Sequence, residues 1–298
     1  MKQLVRKIVL FLLPIAVLAI GLEIIVEAIP NSYSYKNGYL EAHTKDIRTL
    51  VLGSSNAYDG ICAYELPAGF NLANSGQALK EDYLLLNRSI GSLDSLERVI
   101  LALGYHSLSI YQAPQRRQYY TIYMHIFPRW PLTRYSFEVY DLQQTVRKIS
   151  KYLRTGDVTR CDSLGQRLYY EGEKNAEGKR DMQIDFLVQN DSFDVTSQRS
   201  TVDSCAKYLH GIDSLCRRHQ VQLIVVQMPV LKEYKERIPA EQKALQDSLL
   251  RSLDPVAIYI DHSAWPLSPD DCYNATHISK ATSVPYTRHL REEIGKRR

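Results

Sequence analysis

The chain has 298 residues, of which 45% are hydrophobic, enough for one substantial core or for one domain with a large insertion. Lys and Arg number 37 against 33 Asp and Glu, which leaves a formal net charge of only +4. Part of that excess lies at the two chain ends, and the sequence has no basic stripe of the kind that nucleic-acid binding needs. We therefore expect no nucleic-acid partner.

The five cysteines form no CxxC pair, so we expect free or buried thiols and neither a zinc nor a redox motif. The glycines between Gly53 and Gly60 lack both the GK[ST] ending and the GxGxxG spacing of phosphate-binding loops. We expect neither a cofactor nor a metal.

The N-terminus has the pattern of a membrane segment. Residues 1–7 (MKQLVRK) carry three positive charges, and residues 8–21 are all apolar, Gly or Pro. As a helix, residues 8–28 would span roughly 31 Å, about the hydrocarbon thickness of a bilayer. The flanking positive charges place the N-terminus inside. Residues 1–30 are interpreted as an uncleaved signal anchor, with a cleaved signal peptide as the alternative. Either way, the remaining domain is exported.

After a polar stalk at 31–46, short apolar runs alternate with segments whose apolar residues recur at helical spacing. This alternation predicts an α/β fold, a three-layer α/β/α arrangement with a mostly parallel five-stranded sheet over 47–298. An aromatic and basic stretch at about 105–200 interrupts the rhythm and is interpreted as an insertion. The strands are expected near 49–52, 69–74, 99–103, 221–226 and 256–260, and the helices over 78–92, 203–219, 233–253 and 279–296.

Three polar segments follow predicted strands, where parallel sheets place their sites. Ser55 follows the first strand on a tight turn, which suits a nucleophile, although a serine there also caps helices. Gly76 follows the second strand and would let a backbone N–H approach a ligand, or simply form a turn. His277 follows the last strand and can reach Ser55 as a base.

Together these segments resemble the blocks of the SGNH (GDSL-like) hydrolase and acyltransferase superfamily. Gly53-Ser54-Ser55 resembles the first block, and Asn71 to Gly76 the second. His106 lies where the third block has an oxyanion Asn, and Asn274-x-x-His277 lies where the fifth block has D-x-x-H. The resemblance covers the sheet, roughly 47–104 and 203–298. It implies the catalytic residues Ser55, His277 and Asn274, and the oxyanion or binding residues Gly76, Asn74 and His106.

Two departures from the family pattern concern activity. Asn274 replaces the fifth-block Asp, and a neutral amide orients the imidazole of His277 without stabilising its cation. Asp271, Asp270 and Asp261 are alternative carboxylates. His106 replaces, or marks the loss of, the oxyanion Asn. The resemblance implies a serine esterase or O-acyltransferase, and the departures leave open a catalytically degenerate binding or assembly component.

With the anchor, the resemblance further implies a bacterial inner-membrane protein whose domain lies on the periplasmic side. Its expected substrate is an acylated glycan or polymer of the cell envelope. A membrane acyltransferase is a candidate partner.

Overall fold

A computed structural model of the protein describes residues 1–109, 114–168, 177–253 and 256–297. Two parts of the predicted insertion, 110–113 and 169–176, therefore lie outside the described residues.

The centre of the fold is a five-stranded parallel sheet with the strand order β2-β1-β3-β4-β5. This is the order of flavodoxin-like, doubly wound sheets. The middle strands are continuous apolar runs because they are covered on both faces. The predicted α/β class with five parallel strands is therefore confirmed. The strands are β1 (Thr49–Gly53), β2 (Gly69–Asn71), β3 (Arg98–Leu103), β4 (Gln222–Gln227) and β5 (Ile258–Asp261), and a separate antiparallel hairpin is formed by β6 (Cys272–Asn274) and β7 (His277–Ile278).

Helices occupy most of the connections. They are α1 (Lys2–Ala28), α2 (Ser32–Ala42), α3 (Ser55–Gly60), α4 (Leu79–Ser89), α5 (Pro114–Ile122), α6 (Leu142–Thr155), α7 (Glu177–Asp191), α8 (Arg199–Arg218), α9 (Lys232–Arg237), α10 (Ala240–Arg251) and α11 (Lys280–Lys296). The predicted single helix over 233–253 is instead two helices, because Ile238 and Pro239 adopt extended backbone between α9 and α10. The predicted stalk contains α2, in which the Lys36 side chain is fully buried.

The handedness of the connections determines the layers. The connection from β1 to β2 runs to one side of β1, and the later connections run to the other side. Because parallel crossovers are right-handed, α3 lies on the opposite face of the sheet from α4 and α8. Accordingly, α3 packs against α11, while α4 packs against α8. Both faces of the sheet are thus covered by helices.

The chain divides into two compact units. The first unit comprises residues 1–38 and 113–160 and contains α1, α5 and α6. The second comprises residues 39–112 and 161–298 and contains the sheet. All five cysteines are free and buried, as predicted: Cys62, Cys161, Cys205, Cys216 and Cys272.

Helix α1 is the one described helix that is long and apolar enough to span a membrane. Its 27 residues include an 18-residue window with a mean hydropathy of 2.8, and only 6% of that window is buried within the protein. The sequence prediction of one N-terminal membrane-type helix is confirmed to this extent.

Candidate active site

Ser55 is placed at the carboxyl end of β1 by an unusual turn. Gly53 has φ +131°, and a Cβ at this position would lie 2.3 Å from the carbonyl oxygen of Ala102 on the neighbouring strand. Only glycine fits there, because the backbone conformation and the close approach both exclude a side chain. The chain therefore turns sharply out of the sheet, and α3 begins at Ser55, a partly exposed residue.

His277 is positioned by the β6–β7 hairpin. Asn274 pairs with His277 across the hairpin, and the Asn274 Oδ1 atom accepts a hydrogen bond of 2.9 Å from the backbone N–H of Thr276. The Asn56 side chain reaches the same hairpin from α3, since its Nδ2 donates to the carbonyl oxygen of Thr276 at 2.6 Å. The serine turn and the histidine hairpin are thus joined by direct hydrogen bonds.

Ser55, His277 and Asn274 form a hydrogen-bonded chain. The Ser55 Oγ lies 2.8 Å from Nε2 of His277, and Nδ1 of the same ring lies 2.9 Å from Oδ1 of Asn274. The amide orientation of Asn274 is fixed because Thr276 also donates to Oδ1. An amide oxygen only accepts, so the proton of the neutral ring is assigned to Nδ1. Nε2 then presents a lone pair to the Ser55 hydroxyl, which is the arrangement that a general base requires.

The environment of His277 keeps its imidazole neutral. The side chain is only 11% exposed. Burial, together with the smaller effects of the neighbouring His106 and Arg167, lowers the pKa of His277 to about 3. The base form is therefore fully populated at neutral pH. When His277 accepts a proton it becomes an imidazolium cation. This buried cation must be stabilised by negative charge, either on the oxyanion that develops in the transition state or on a nearby carboxylate.

A carboxylate, that of Asp59, lies beside the reacting nitrogen of His277. Its Oδ2 lies 3.9 Å from Nε2 of His277, and its Oδ1 lies 2.9 Å from Nε of Arg167. The Arg167 guanidinium also stacks on the ring of Tyr58, 4.8 Å from its centroid, and donates a short hydrogen bond to Ser75. A buried Asp–Arg pair thus lies beside the histidine, with the cation at the loop that follows β2.

The alternative carboxylates suggested by the sequence are used elsewhere. The Oδ2 atom of Asp271 accepts hydrogen bonds from the Ser268 backbone and hydroxyl at 2.8 and 2.6 Å. The Oδ1 atom of Asp261 accepts from the Ser263 backbone at 2.8 Å, and Asp270 is exposed. Among the described residues, the carboxylate beside His277 is that of Asp59.

His106 lies close to the serine turn but binds the neighbouring serine. Its Nε2 is 3.2 Å from Oγ of Ser54, and its Nδ1 is 4.0 Å from the carboxylate of Asp191. Burial lowers the pKa of His106, an effect partly offset by Asp191. A Cβ on Gly104 would lie 2.6 Å from the His106 ring, so glycine is needed for the ring to approach.

Asn74 and Gly76 form the turn after β2. The Asn74 amide donates to the carbonyl oxygen of Leu72 and to Gln77, both at 3.2 Å, and Gly76 adopts φ +61°. Among the residues that the structure describes, neither is hydrogen-bonded to Ser55. Asp82 links this turn to the serine turn. Its carboxylate accepts hydrogen bonds from the Gln77 side chain at 2.6 Å and from the Gly53 N–H at 2.9 Å. Burial raises the pKa of Asp82 to about 7.

Sequence reasoning missed Asp59 and Arg167. Asp59 follows Ser55 by four residues on α3, and residues four apart share a helix face, so a local signal existed. Arg167 had no such signal, because it belongs to a distant segment. That segment returns to the sheet through hydrogen bonds from the Gln166 side chain to the carbonyl oxygen of Asp59 and from Arg167 N–H to that of Tyr58.

A second cluster, apart from this hydrogen-bonded chain, contains groups that can ligate metals. Atoms of His262, His289 and Glu293 lie within 4.8 Å of one another. Hydrogen bonds already connect this cluster: Glu293 is bound by His262 at 2.8 Å and by Arg297 at 2.6 Å, and the other His262 nitrogen lies 3.2 Å from the Tyr286 hydroxyl. These contacts account for the arrangement by protein groups alone.

No family model matches the chain, and no curated protein matches it.

Proposed function

We propose that the protein is a serine esterase or O-acyltransferase of the SGNH type. The observation that carries this proposal is the hydrogen-bonded chain from Ser55 through His277 to Asn274. A hydroxyl at the start of a helix, beside a neutral imidazole of assigned tautomer, has the requirements of a covalent nucleophile. The turn at Gly53, which places the partly exposed residue Ser55 at the carboxyl end of β1, gives additional support.

In this proposal the Ser55 Oγ attacks the carbonyl carbon of an acyl ester while its proton moves to Nε2 of His277. Collapse of the tetrahedral intermediate breaks the ester bond, and the departing alkoxide takes the proton from His277. The acyl group remains on Ser55 until water, or a hydroxyl of an acceptor, attacks by the reverse proton route. The backbone N–H groups of Ser55 and Gly76 are the proposed oxyanion donors.

The replacement of a carboxylate by Asn274 predicts a slow reaction. Asn274 orients the ring, but it adds no negative charge to offset the imidazolium. Asp59, 3.9 Å from Nε2, supplies negative charge on the side of the ring that receives the proton, although Arg167 neutralises part of it. A developing oxyanion adds to this compensation. A slow enzyme that holds its acyl group for a bound acceptor fits a transferase.

The proposed substrate is an acylated glycan or polymer of the bacterial cell envelope. The N-terminal helix α1 supports this choice, because a tethered enzyme remains near surface polymers. We propose attachment to the inner membrane with the second unit on the periplasmic side, and a membrane acyltransferase as the partner that supplies acyl groups.

A second candidate function is a non-catalytic binding or assembly component of such a modification system. Two observations favour it: Asn274 stands where the family has a carboxylate, and His106 is bonded to Ser54 rather than to the proposed nucleophile. In that case the Ser55 site would bind an acylated polymer without cleaving it.

The test uses the full chain in detergent micelles with an O-acetylated polysaccharide. Acetate release, or acetyl transfer from p-nitrophenyl acetate to the deacetylated polysaccharide, is measured for the wild type, Ser55→Ala and Ser54→Ala. We expect activity that Ser55→Ala abolishes and that Ser54→Ala, which removes the neighbouring hydroxyl, largely retains. Binding of the polysaccharide with no turnover in the folded wild type would favour the binding component instead.

A further inference from the structure

Helix α6 exposes its apolar face. Leu142, Val146, Ile149 and Leu153 follow one another at spacings of four, three and four residues, which places them on one side of the helix. Leu142, Val146 and Leu153 are 65%, 63% and 79% exposed, and Ile149 is half-buried. In a helix that packs on a core, this stripe would face inward. Here it faces away from the first unit, to which α6 belongs.

The side of α6 that faces its own unit is polar. The Thr145 hydroxyl donates to the carbonyl oxygen of Glu138 at 3.0 Å, and the Lys148 ammonium forms an ion pair with the Glu138 carboxylate at 2.9 Å. Lys148 also donates to the Tyr123 hydroxyl at 2.7 Å. These contacts fix the rotation of α6 about its axis, so the apolar stripe cannot turn inward without breaking a buried ion pair.

The same contacts attach α6 to the end of the membrane-type helix α1. Lys148 donates to the carbonyl oxygen of Val26 at 2.9 Å. The Glu23 carboxylate accepts from the backbone N–H groups of Glu138 and Val139 at 2.7 and 2.9 Å. Ile24 and Ile25 of α1 are still exposed at this level. The apolar surface of α1 therefore continues to the level at which α6 is attached.

The surroundings of the stripe match a bilayer boundary in chemistry. Trp130 and Tyr140, which are 74% and 68% exposed, belong to the same unit, and amphipathic aromatic rings favour the headgroup level. Arg147 and Arg154 are exposed on α6 itself, away from the apolar stripe. Cations in that position attract anionic lipid headgroups while the apolar face enters the acyl boundary.

We infer that α6 lies in the plane of the membrane, with the stripe of Leu142, Val146, Ile149 and Leu153 immersed in the lipid boundary where α1 leaves the bilayer. The occupant of this face is the lipid surface. The continuity with the exposed surface of α1 argues for lipid over a second protein. This inference concerns the first unit and does not depend on the chemistry of Ser55.

The experiment places a single tryptophan on either face of α6. In full-length protein carrying Trp130→Phe and Trp265→Phe, Val146→Trp reports on the apolar stripe, and Gln144→Trp reports on the polar side of the same helix as the matched control. Both variants are reconstituted into vesicles of phosphatidylcholine with a minority of phosphatidylglycerol. Their emission is quenched by lipids brominated in the upper acyl chain or by acrylamide from the water.

We expect Val146→Trp to lose about half of its emission to brominated lipid, as for a ring that lies ~5–10 Å into the boundary, while Gln144→Trp is quenched mainly by acrylamide. Equal lipid quenching at both positions, or acrylamide quenching of both, would overturn the inference. Shielding of Val146→Trp from both quenchers would also overturn it, because that result means that protein covers the stripe. Circular dichroism of both variants checks that the helical content matches the parent.

Discussion

Replacing His277 by Gln should remove a large part of the acid sensitivity of folding. An unfolded histidine has a pKa of about 6.5, whereas burial lowers the pKa of His277 in the fold to about 3. Between these values the unfolded chain binds one more proton at this residue than the folded chain does. The free energy of unfolding therefore falls by about 1.4 kcal/mol for each unit that the pH drops below 6.5.

Between about pH 7.5 and about pH 4.5, this linkage costs the wild type about 3 kcal/mol at His277 alone. Gln does not titrate and can still accept a hydrogen bond from Ser55, so His277→Gln should escape that loss. Carboxylates and the remaining histidines contribute similarly to both proteins, so their effects largely cancel in the comparison.

The assay is urea unfolding of the full chain in micelles at the two pH values, followed by near-ultraviolet circular dichroism. His219→Gln, at an exposed histidine at the end of α8, is the matched control and should lose as much stability as the wild type. If the loss in His277→Gln differs from that of the wild type by less than about 1 kcal/mol, His277 titrates normally and the buried neutral base is wrong.

Three further changes test the surroundings of the histidine. Asn274→Asp adds a carboxylate beside Nδ1 of His277, so we expect the rate of Ser55 acylation by p-nitrophenyl acetate to rise at least about tenfold. This gain is smaller than the ~10⁴-fold loss that the reverse change causes in a serine protease, and a slower rate would contradict the assigned tautomer. Arg167→Gln removes a cation that contributes to the low pKa of His277, so the low-pH midpoint of the acylation rate should move upward; an unmoved midpoint would rule out this electrostatic effect. Asp82→Asn removes a buried acid whose pKa is raised to about 7. The folded chain holds that proton more tightly than the unfolded chain, so the free energy of unfolding of the wild type falls as the pH rises from about 4 to 7. The variant should therefore melt at a higher temperature than the wild type at pH ~8 but not at pH ~4.

The sheet was predictable because its strands are buried on both faces. The runs at 49–52, 99–103 and 221–226 are continuous apolar segments, and such segments are typical of parallel strands.

The break between α9 and α10 was missed even though Pro239 is visible in the sequence, since a proline is compatible with the first turn of a helix as well as with a break. The meeting of Ser55 and His277 followed from the rule that parallel strands present their carboxyl ends at one edge.

Other features depend on contacts between distant segments and have no local pattern. Arg167 reaches the site through hydrogen bonds from its neighbourhood to α3, across more than a hundred residues of sequence. The stripe on α6 is visible as a helical period, but periodicity alone indicates a core-facing helix. The stripe is exposed because the ion pair between Lys148 and Glu138 holds the opposite side of α6 against its own unit.

The most direct test of the proposed chemistry is covalent labelling of the serine. The full-length wild type, Ser55→Ala and His277→Ala are treated with a fluorophosphonate probe in micelles, and the modified peptide is identified by mass spectrometry. We expect the label on Ser55 in the wild type and no label at that position in either variant. A folded wild type that takes no label, or that is labelled equally in His277→Ala, would contradict an activated serine.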